Sequence, residues 1–180
     1  MRVTSGLAKG KRLITLEGEE IRPTTDRVKE ALFSSIQFEI EGSTVLDLFA
    51  GCGQLGIEAI SRGAKKAVFC DKSDKARGVI KTNLENCGFK AESFSILPTD
   101  AITFLNTTDI KFDFCFIDPP YREDYYEKTL AAVGRVINRG GIIICEHPVD
   151  IKLNDTYGDF KKVKDYRFSK IMLSKYKKEV

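Results

Sequence analysis

Four consecutive residues could bind a planar amino group: Asp118, Pro119, Pro120 and Tyr121 follow directly after the apolar residues 114–117. Two adjacent prolines donate no backbone hydrogen bonds, so a strand that reaches them must end there. They predict a rigid turn at the carboxyl end of a buried strand, which is where open α/β sheets bind ligands. The oxygens of this turn could accept hydrogen bonds from an amino group, and the tyrosine ring offers a stacking face.

A glycine-rich turn occurs earlier in the chain, between a predicted strand at residues 43–49 and a predicted helix at residues 53–62. Gly51 and Gly53 let the backbone turn sharply and approach a ligand closely, and the start of the helix offers free amides. Asp47 stands just before this turn. Its carboxylate would repel the pyrophosphate of a dinucleotide, but it suits the ammonium group of an amino-acid-like ligand.

A second acid, Asp71, ends the next predicted strand 20 residues after Gly51. That position and spacing suit a carboxylate that binds ribose hydroxyls. A helix-capping role for Asp71, in competition with Ser73 and Asp74, is the alternative. A ribose-binding acid together with Asp47 describes a nucleoside that carries an amino-acid-like group. S-adenosylmethionine therefore fits the two acids better than NAD does.

The other predicted cofactor residues are less specific. Asp100 either caps the helix that follows the third predicted strand or accepts a hydrogen bond from the adenine amino group. Phe49 belongs to the predicted core as much as to the site. Phe49, Ala50 and Ala101 complete the predicted lining of the cofactor site.

Strand-like and helix-like patterns alternate along most of the chain, which predicts an α/β fold with a mostly parallel sheet and helices on both faces. The predicted strands are residues 43–49, 67–71, 93–97, 112–117 and 141–146. The predicted helices are residues 26–38 and 53–62, a helix capped by Ser73 and ended by Gly88, a short helix after Asp100, and residues 123–138.

The two ends of the chain depart from this alternation. Residues 160–163 and 168–176 look like strands with no helix between them, which predicts an antiparallel hairpin. Residues 1–16 are basic and punctuated by glycine, and we interpret them as a small β-hairpin-like arm. We expect one domain over residues 1–180, with a basic arm at residues 1–20 and a Rossmann-like core at residues 21–180.

Composition excludes several classes of protein. The 180 residues are 42% hydrophobic and 31% charged, which is typical of a folded globular chain and not of a disordered one. No apolar stretch approaches the length of a membrane span, and the start lacks the apolar region of a signal peptide, so we expect a cytoplasmic protein. The five cysteines form no C-x-x-C pair and the chain has one histidine, so we expect no metal site.

Charge is unevenly distributed along the chain. Residues 1–30 carry a net charge of +2 and residues 161–180 carry +6, whereas residues 31–160 carry −5. Basic ends suggest contact with a polyanion, although lysines that keep exposed strands soluble explain the charge equally well. Within residues 1–12, which contain no acid, phosphate contact is our preferred role for the basic side chains. These are Arg2, Lys9, Lys11 and Arg12.

Four segments resemble a known family: RPTTDRVKEALF at residues 22–33, VLDLFAG at 45–51, SRGA at 61–64 and DPPY at 118–121. With them the chain resembles the class I S-adenosylmethionine-dependent methyltransferases. More closely, it resembles the RsmD family, bacterial enzymes that methylate N2 of a guanine in 16S ribosomal RNA. The glycine turn and DPPY occur more widely, so the first segment is the specific element.

The resemblance implies S-adenosylmethionine as the cofactor and 16S ribosomal RNA or the 30S subunit as the partner, and we expect a monomer. It implies that the residues around Arg22 to Arg27 help to shape the cofactor and substrate cleft, and we expect Arg22 and Arg27 to bind RNA. Cys52 and Gln54 stand where the family usually has smaller residues, and Asp71 stands where a glutamate is commoner. A shorter acid implies a slightly different approach of the ribose.

Within this interpretation, Asp118 and the carbonyl of Pro119 accept hydrogen bonds from the two N–H groups of the guanine amine, and Tyr121 stacks on the base.

Other functions remain as alternatives. A DNA methyltransferase acting on adenine N6 or cytosine N4 would use the same acceptors, although the chain has no insertion large enough for a separate target-recognition domain. A protein glutamine methyltransferase is a weaker alternative, and so is a NAD-binding fold. A noncatalytic RNA-binding or ribosome-assembly module is the alternative from another class. His147 is expected to be structural, and Glu146 has no assigned role.

Overall fold

Eight strands form one mixed sheet in the computed structural model, which describes residues 1–16, 25–120 and 123–178. The strands are β1 (Thr44–Asp47), β2 (Lys66–Cys70), β3 (Phe94–Leu97), β4 (Phe112–Ile117), β5 (Ile137–Pro148), β6 (Thr156–Tyr157), β7 (Phe160–Phe168) and β8 (Ile171–Lys178). Their order across the sheet is β3-β2-β1-β4-β5-β8-β7-β6. Strands β1 to β5 are parallel, and β8, β7 and β6 continue the sheet in antiparallel pairs.

Helices cover both faces of this sheet. They are α1 (Asp26–Ser34), α2 (Gln54–Ser61), α3 (Asp74–Cys87), α4 (Ala101–Thr107) and α5 (Glu123–Val133). One apolar core contains Leu32 of α1, Ile57 of α2 and Ile80 of α3. A second core contains Phe104 of α4 and Leu130 of α5. The predicted α/β fold, with a mostly parallel sheet and an antiparallel carboxyl-terminal hairpin, is confirmed.

Local hydrogen bonds explain where the helices begin and end. The hydroxyl of Ser73 accepts a hydrogen bond from the amide of Ala76 at 3.2 Å, so Ser73 caps α3 as predicted. Gly88 ends α3 in the left-handed conformation with φ +76°, which is also as predicted. The hydroxyl of Thr25 lies 3.4 Å from the amide of Val28 and caps α1.

Two predicted helices are too long. The helix predicted at residues 26–38 ends at Ser34, because the Ser35 hydroxyl donates to the Leu32 carbonyl and the chain turns. The helix predicted at residues 123–138 ends at Val133, where a single 3-10 turn leads directly into β5. In both cases the apolar spacing continues beyond the helix, since Ile36 is buried in a turn and Ile137 is buried in a strand.

Three strand predictions were incomplete. The predicted strands at residues 160–163 and 168–176 form the expected hairpin, but β7 continues to Phe168 and β8 begins only at Ile171. Strand β5 has 12 residues and extends the predicted residues 141–146 at both ends, with a register irregularity against β4 between Phe112 and Phe114. Strand β6 was not predicted, since two residues carry no periodicity. Residues 1–16 turn back on themselves as expected, but they hold only one isolated antiparallel bridge, between Arg2 and Arg12.

The helices of the described ranges are all too short or too polar to cross a membrane.

Candidate active site

The direction of the chain across the sheet changes at β1. From β1 the sheet continues to β2 and β3 on one side and to β4 and β5 on the other, so the carboxyl ends of β1 and β4 flank the topological switch point. Open α/β sheets bind ligands in the crevice at this place. The glycine turn follows β1 and the Asp-Pro-Pro turn follows β4, so the fold brings the two predicted motifs to one crevice.

Three carboxylates share one face of the sheet at this edge. Asp47 pairs with Phe116 of β4, and Phe116 pairs with Ile144 of β5. Asp118 and Glu146 each lie two residues further along their strands, so their side chains point to the same face as Asp47. That face is the one covered by α1, α2 and α3.

Asp47 is held at the start of α2. Its Oδ2 accepts a hydrogen bond from the amide of Gly56 at 2.9 Å, and the residue is only 3% exposed. Burial raises the pKa of Asp47 to about 7; the Gly56 amide opposes the rise and the nearby charge of Asp71 adds to it. A cationic ligand group would reverse this effect, because it would favour the ionised carboxylate.

The glycine turn leaves room beside this acid. Gly51 has φ +54° and Gly53 has φ +80°, conformations that favour glycine. A Cβ at Gly51 would meet no atom within 4 Å, so its backbone faces open space. A Cβ at Gly56 would lie 2.3 Å from the ring of Phe69, so that glycine is required by close packing of α2 on β2.

Asp71 is bound to the same turn. Its Oδ2 accepts from the Gly51 amide at 2.9 Å, and its Oδ1 accepts from the Ser73 amide at 2.9 Å. Arg77 donates to the main-chain carbonyl of Asp71. Each carboxylate oxygen has a second acceptor site, so Asp71 can orient the turn and still accept a hydroxyl.

Asp100 caps α4, which is one of its two predicted roles. Its Oδ1 accepts from the Thr103 amide at 3.0 Å, and this hydrogen bonding lowers the pKa of the exposed Asp100 carboxyl. Ala101 is buried against the second core. Ala50 is buried in the first core, and Phe49 is half-buried with its ring 6.1 Å from that of Tyr125.

Asp118 is half-buried at the end of β4. Burial raises its pKa well above the usual range, and the charges of Glu146 and Asp47 raise it further. Pro119 is buried and Pro120 is exposed. Tyr121, the last member of the predicted motif, lies outside the described residues.

The two residues at the end of β5 differ in their surroundings. Glu146 is 3% exposed and shares the sheet face of Asp118, next to it across the strand pair. His147 points to the other face, where its Nδ1 lies 2.9 Å from the Pro148 carbonyl and its Nε2 lies 2.8 Å from the Ser174 hydroxyl. His147 thus has structural contacts away from the acid cluster.

The predicted RNA-binding side chains of the described ranges are exposed. They are Arg2, Lys9, Lys11, Arg12 and Arg27. The Nε of Arg2 donates to Asp26 at 3.0 Å, which joins the arm to the start of α1. Arg22 lies outside the described residues.

A buried network, which the sequence did not indicate, fixes the arm to the helices. The carboxylate of Glu58 on α2 accepts from the amides of Thr4 and Ser5 and from the Thr4 hydroxyl, at 2.7–3.0 Å. Lys29 of α1 and Arg62 lie 3.3 and 2.9 Å from the same carboxylate. Burial opposes ionisation of Glu58, but the Thr4 hydrogen bonds and the two cations outweigh it and lower its pKa.

The buried side chain of Asn83 on α3 joins the arm to the glycine turn. Its amide exchanges hydrogen bonds with both the N–H and the carbonyl of Ile14 and also donates to the Cys52 carbonyl at 3.0 Å. Asn83 therefore fixes the position of the arm relative to the glycine turn.

The parts of the chain that the structure describes contain no group of three side chains placed to hold a metal ion.

The arrangement matches a family that covers almost the whole chain. The family model described as "Conserved hypothetical protein 95" matches residues 1–177. The chain belongs to this family, the RsmD family. Membership confirms the predicted family and the predicted methyltransferase class.

Named relatives agree with this assignment. The chain is 35% identical over 183 residues to "Putative rRNA methyltransferase YlbH" of Bacillus subtilis, with 99% of each chain covered. It is 36% identical over 133 residues to "Ribosomal RNA small subunit methyltransferase D" of Haemophilus influenzae, covering 73% of this chain and 69% of that one. The solved structure "Putative methyltransferase yhhF" of Escherichia coli superposes with a TM-score of 0.89 at 27% identity, covering 99% and 98% of the two chains.

Proposed function

We propose that this protein transfers a methyl group from S-adenosylmethionine to N2 of a guanine in 16S ribosomal RNA. Methyl transfer to ribosomal RNA follows from its membership of the RsmD family. The guanine N2 target, the 30S subunit as the form that is bound, action as a monomer and a cytoplasmic location are our extensions of that assignment.

The observation that carries the proposal is the position of Asp118. The Asp-Pro-Pro turn at the end of β4 lies beside the glycine turn at the end of β1, on neighbouring strands at the switch point. An amine bound by the first turn would therefore lie next to a ligand bound by the second. Transfer between two bound groups needs this proximity, which can supply ~7–11 kcal/mol of a barrier.

The residues around the glycine turn fit S-adenosylmethionine. Asp47 would bind the ammonium group of the methionine part, and Asp71 would accept ribose hydroxyls. The open space beside Gly51 admits the ligand backbone, and an oxygen of Asp100 would bind the adenine amine. Phe49, Ala50, Gly53 and Ala101 complete the proposed cofactor site.

When bound, S-adenosylmethionine supplies the electrophilic methyl group. The guanine N2 lone pair is delocalised into the ring, so the amine must be oriented by the protein. We assign this role to the Asp118 carboxylate and the Pro119 carbonyl, which accept hydrogen bonds from the two N–H groups and stabilise the positive charge that develops on nitrogen. The methyl group would leave the donor sulfur as it bonds to N2, and the nitrogen would then release one of its protons. Pro120 keeps the turn rigid, and Tyr121 is proposed to stack on a base turned out of its helix.

Substrate RNA would approach along the arm and α1. The arm packs on the side of the sheet that carries the three acids, and its exposed cations suit phosphate contacts. Arg22 and Arg27 are also proposed to contact the RNA.

Labelled methyl donor tests the proposal directly. The protein is incubated with labelled S-adenosylmethionine and 16S RNA, assembled 30S particles or DNA, and the modified nucleoside is identified. We expect N2-methylguanosine in the 30S sample. Label in DNA alone, or a modified nucleoside other than N2-methylguanosine, would overturn the proposal.

A further inference from the structure

Glu146 occupies a position that the proposed amine-binding turn does not explain. It is 3% exposed, it ends the apolar part of β5, and Ile117 pairs with Cys145 in the strand pair directly before Asp118 and Glu146. Neighbouring strands lie about 4.8 Å apart, so the two carboxylates face the same crevice side by side. The charge of Glu146 also acts on Asp118.

Two adjacent carboxylates present a row of hydrogen-bond acceptors. The raised pKa of Asp118 opposes its ionisation in the free protein, and the positive charge of a bound S-adenosylmethionine would favour it. Guanine is the one common base whose Watson–Crick edge has an N1–H donor next to an amino group, whereas adenine N1 and cytosine N3 are acceptors beside their amines. An ionised carboxylate only accepts hydrogen bonds. A second carboxylate beside the amine-binding turn therefore matches guanine and opposes the other two bases.

We propose that Glu146 accepts the N1–H of the target guanine while Asp118 and Pro119 bind its N2 amine, so that Glu146 selects guanine over the other amino-bearing bases. This inference rests on the proposed function and adds a residue that determines specificity. A carboxylate placed to bind a substrate N–H disfavours an analogue that presents a lone pair at the same place, because two hydrogen-bond acceptors then face each other.

The base analogue 2-aminopurine separates the two contacts. It keeps the N2 amine, but it lacks O6, and its N1 has no hydrogen and presents a lone pair; the change in preference on substituting Glu146 therefore isolates the N1 contact. Once the methylated guanine is mapped, 16S RNA is assembled by ligation with guanine or 2-aminopurine at that position and is reconstituted into 30S particles. The kcat/KM for methyl transfer is then measured on both substrates.

We expect wild-type protein to prefer guanine by about 10- to 100-fold, the loss that follows from one missing charge-assisted hydrogen bond. Glu146→Gln keeps the size of the side chain and adds an amide donor that can bind the N1 lone pair. It should lower kcat/KM on guanine and raise it on 2-aminopurine, so that the preference falls towards one. The exposed Glu85→Gln serves as the matched control and should keep the wild-type preference.

Three results would overturn the inference. The first is an equal kcat/KM of the wild-type protein on both substrates, and this measurement does not depend on whether a variant folds. The second is a Glu146→Gln variant that binds the methyl donor normally and loses the same factor on both substrates, since a structural role alone predicts that loss. The third is a wild-type protein that forms no N2-methylguanosine on the guanine substrate, which would also reject the proposed function, whereas the first two would not.

Discussion

The ammonium group of Lys29 lies 3.3 Å from the carboxylate of Glu58, and both side chains are fully buried. Lys29 also donates to the main-chain carbonyl of Arg2, and Glu58 accepts the amides of Thr4 and Ser5. This ion pair joins α1, α2 and the arm below the proposed RNA-binding surface. An uncompensated buried charge is costly, so the pair is most informative when one partner is removed.

Lys29→Met should lower the free energy of unfolding by about 3–5 kcal/mol, because it leaves Glu58 buried without one of its two cations. Adding Glu58→Gln should recover part of the lost free energy of unfolding, because it removes the buried carboxylate charge that Lys29→Met leaves without its lysine. Urea denaturation measures both variants. The exposed pair Lys128–Asp124 provides the control, and Lys128→Met should change stability by less than about 1 kcal/mol. An equally small effect of Lys29→Met would contradict the assigned role of the buried pair.

This network also shows where prediction from the sequence ends. The glycine turn and the two prolines each determine a local conformation, and parallel strands bring their carboxyl ends to one edge, so Asp47, Asp71 and Asp118 could be placed together in advance. Glu58 instead contacts residues 53 and 54 positions away, in an arm without regular structure. Such contacts depend on tertiary packing, which no local pattern encodes.

One signal for the buried lysine was nevertheless present. Leu32 and Phe33 follow Lys29 by three and four residues, which places Lys29 on the same side of α1 as these buried apolar neighbours. The helix ends were missed for a related reason. Ile36 and Ile137 continue the helical spacing although they lie in a turn and a strand. Buried positions are apolar whatever the backbone conformation, so apolar spacing alone does not mark where a helix ends.

Asp47→Asn should have opposite effects on stability and on donor binding. The folded pKa of about 7 lies above the usual value of 3.8, so the stability linked to this proton is lost as pH rises from about 4 to about 7. This difference between the folded and unfolded pKa of Asp47 corresponds to a loss of up to about 4 kcal/mol in the free energy of unfolding above neutral pH. The variant should therefore be more stable than wild type at pH 8, with little difference at pH 4.

Calorimetry and urea denaturation at several pH values test both effects. Wild-type affinity for S-adenosylmethionine should rise with pH up to about 7, because the ammonium group needs the ionised carboxylate. Asp47→Asn should remove this dependence and weaken binding by about 10- to 100-fold at pH 8. Asp109→Asn, at an exposed carboxyl, should alter neither property. A variant that is less stable than wild type at pH 8 would show that Asp47 is ionised and paired in the free protein.

Gly51→Ala and Gly88→Ala form a matched pair. Both glycines have positive φ, +54° and +76°, and a Cβ at either would meet no atom within 4 Å. Each substitution should thus cost about 1–2 kcal/mol of stability from backbone strain alone. Only the Cβ at Gly51 would enter the proposed cofactor site, so only Gly51→Ala should weaken donor binding by more than tenfold. Equal donor affinities for the two variants would remove Gly51 from the site.

Charge reversal on the arm should weaken RNA binding and leave donor binding unchanged. Lys9→Glu with Lys11→Glu changes two exposed side chains that have no assigned structural contact. If each lysine contacts one phosphate, the slope of log affinity against log salt should become about two units shallower. Lys128→Glu with Lys152→Glu makes the same charge change at two exposed positions on the side of α5, and its salt slope should match wild type. If the two double variants have the same slope of log affinity against log salt, the effect is one of overall charge and the arm makes no specific phosphate contact.

Asp118→Ala should abolish methyl transfer and leave affinity for S-adenosylmethionine within about threefold of wild type, because Asp118 is assigned to the amine and not to the donor. Asp118→Asn keeps an acceptor oxygen but loses the negative charge that would stabilise a developing cation, so it should retain a small fraction of the activity. Removing this carboxyl also removes its unfavourable proximity to Glu146 and Asp47, hence neither variant should unfold more easily at pH 8.

Single-turnover methylation with saturating donor separates the chemical step from binding. Unchanged single-turnover rates in Asp118→Ala would move the amine-binding role to another residue, and a parallel loss of donor affinity would place Asp118 in the cofactor site instead.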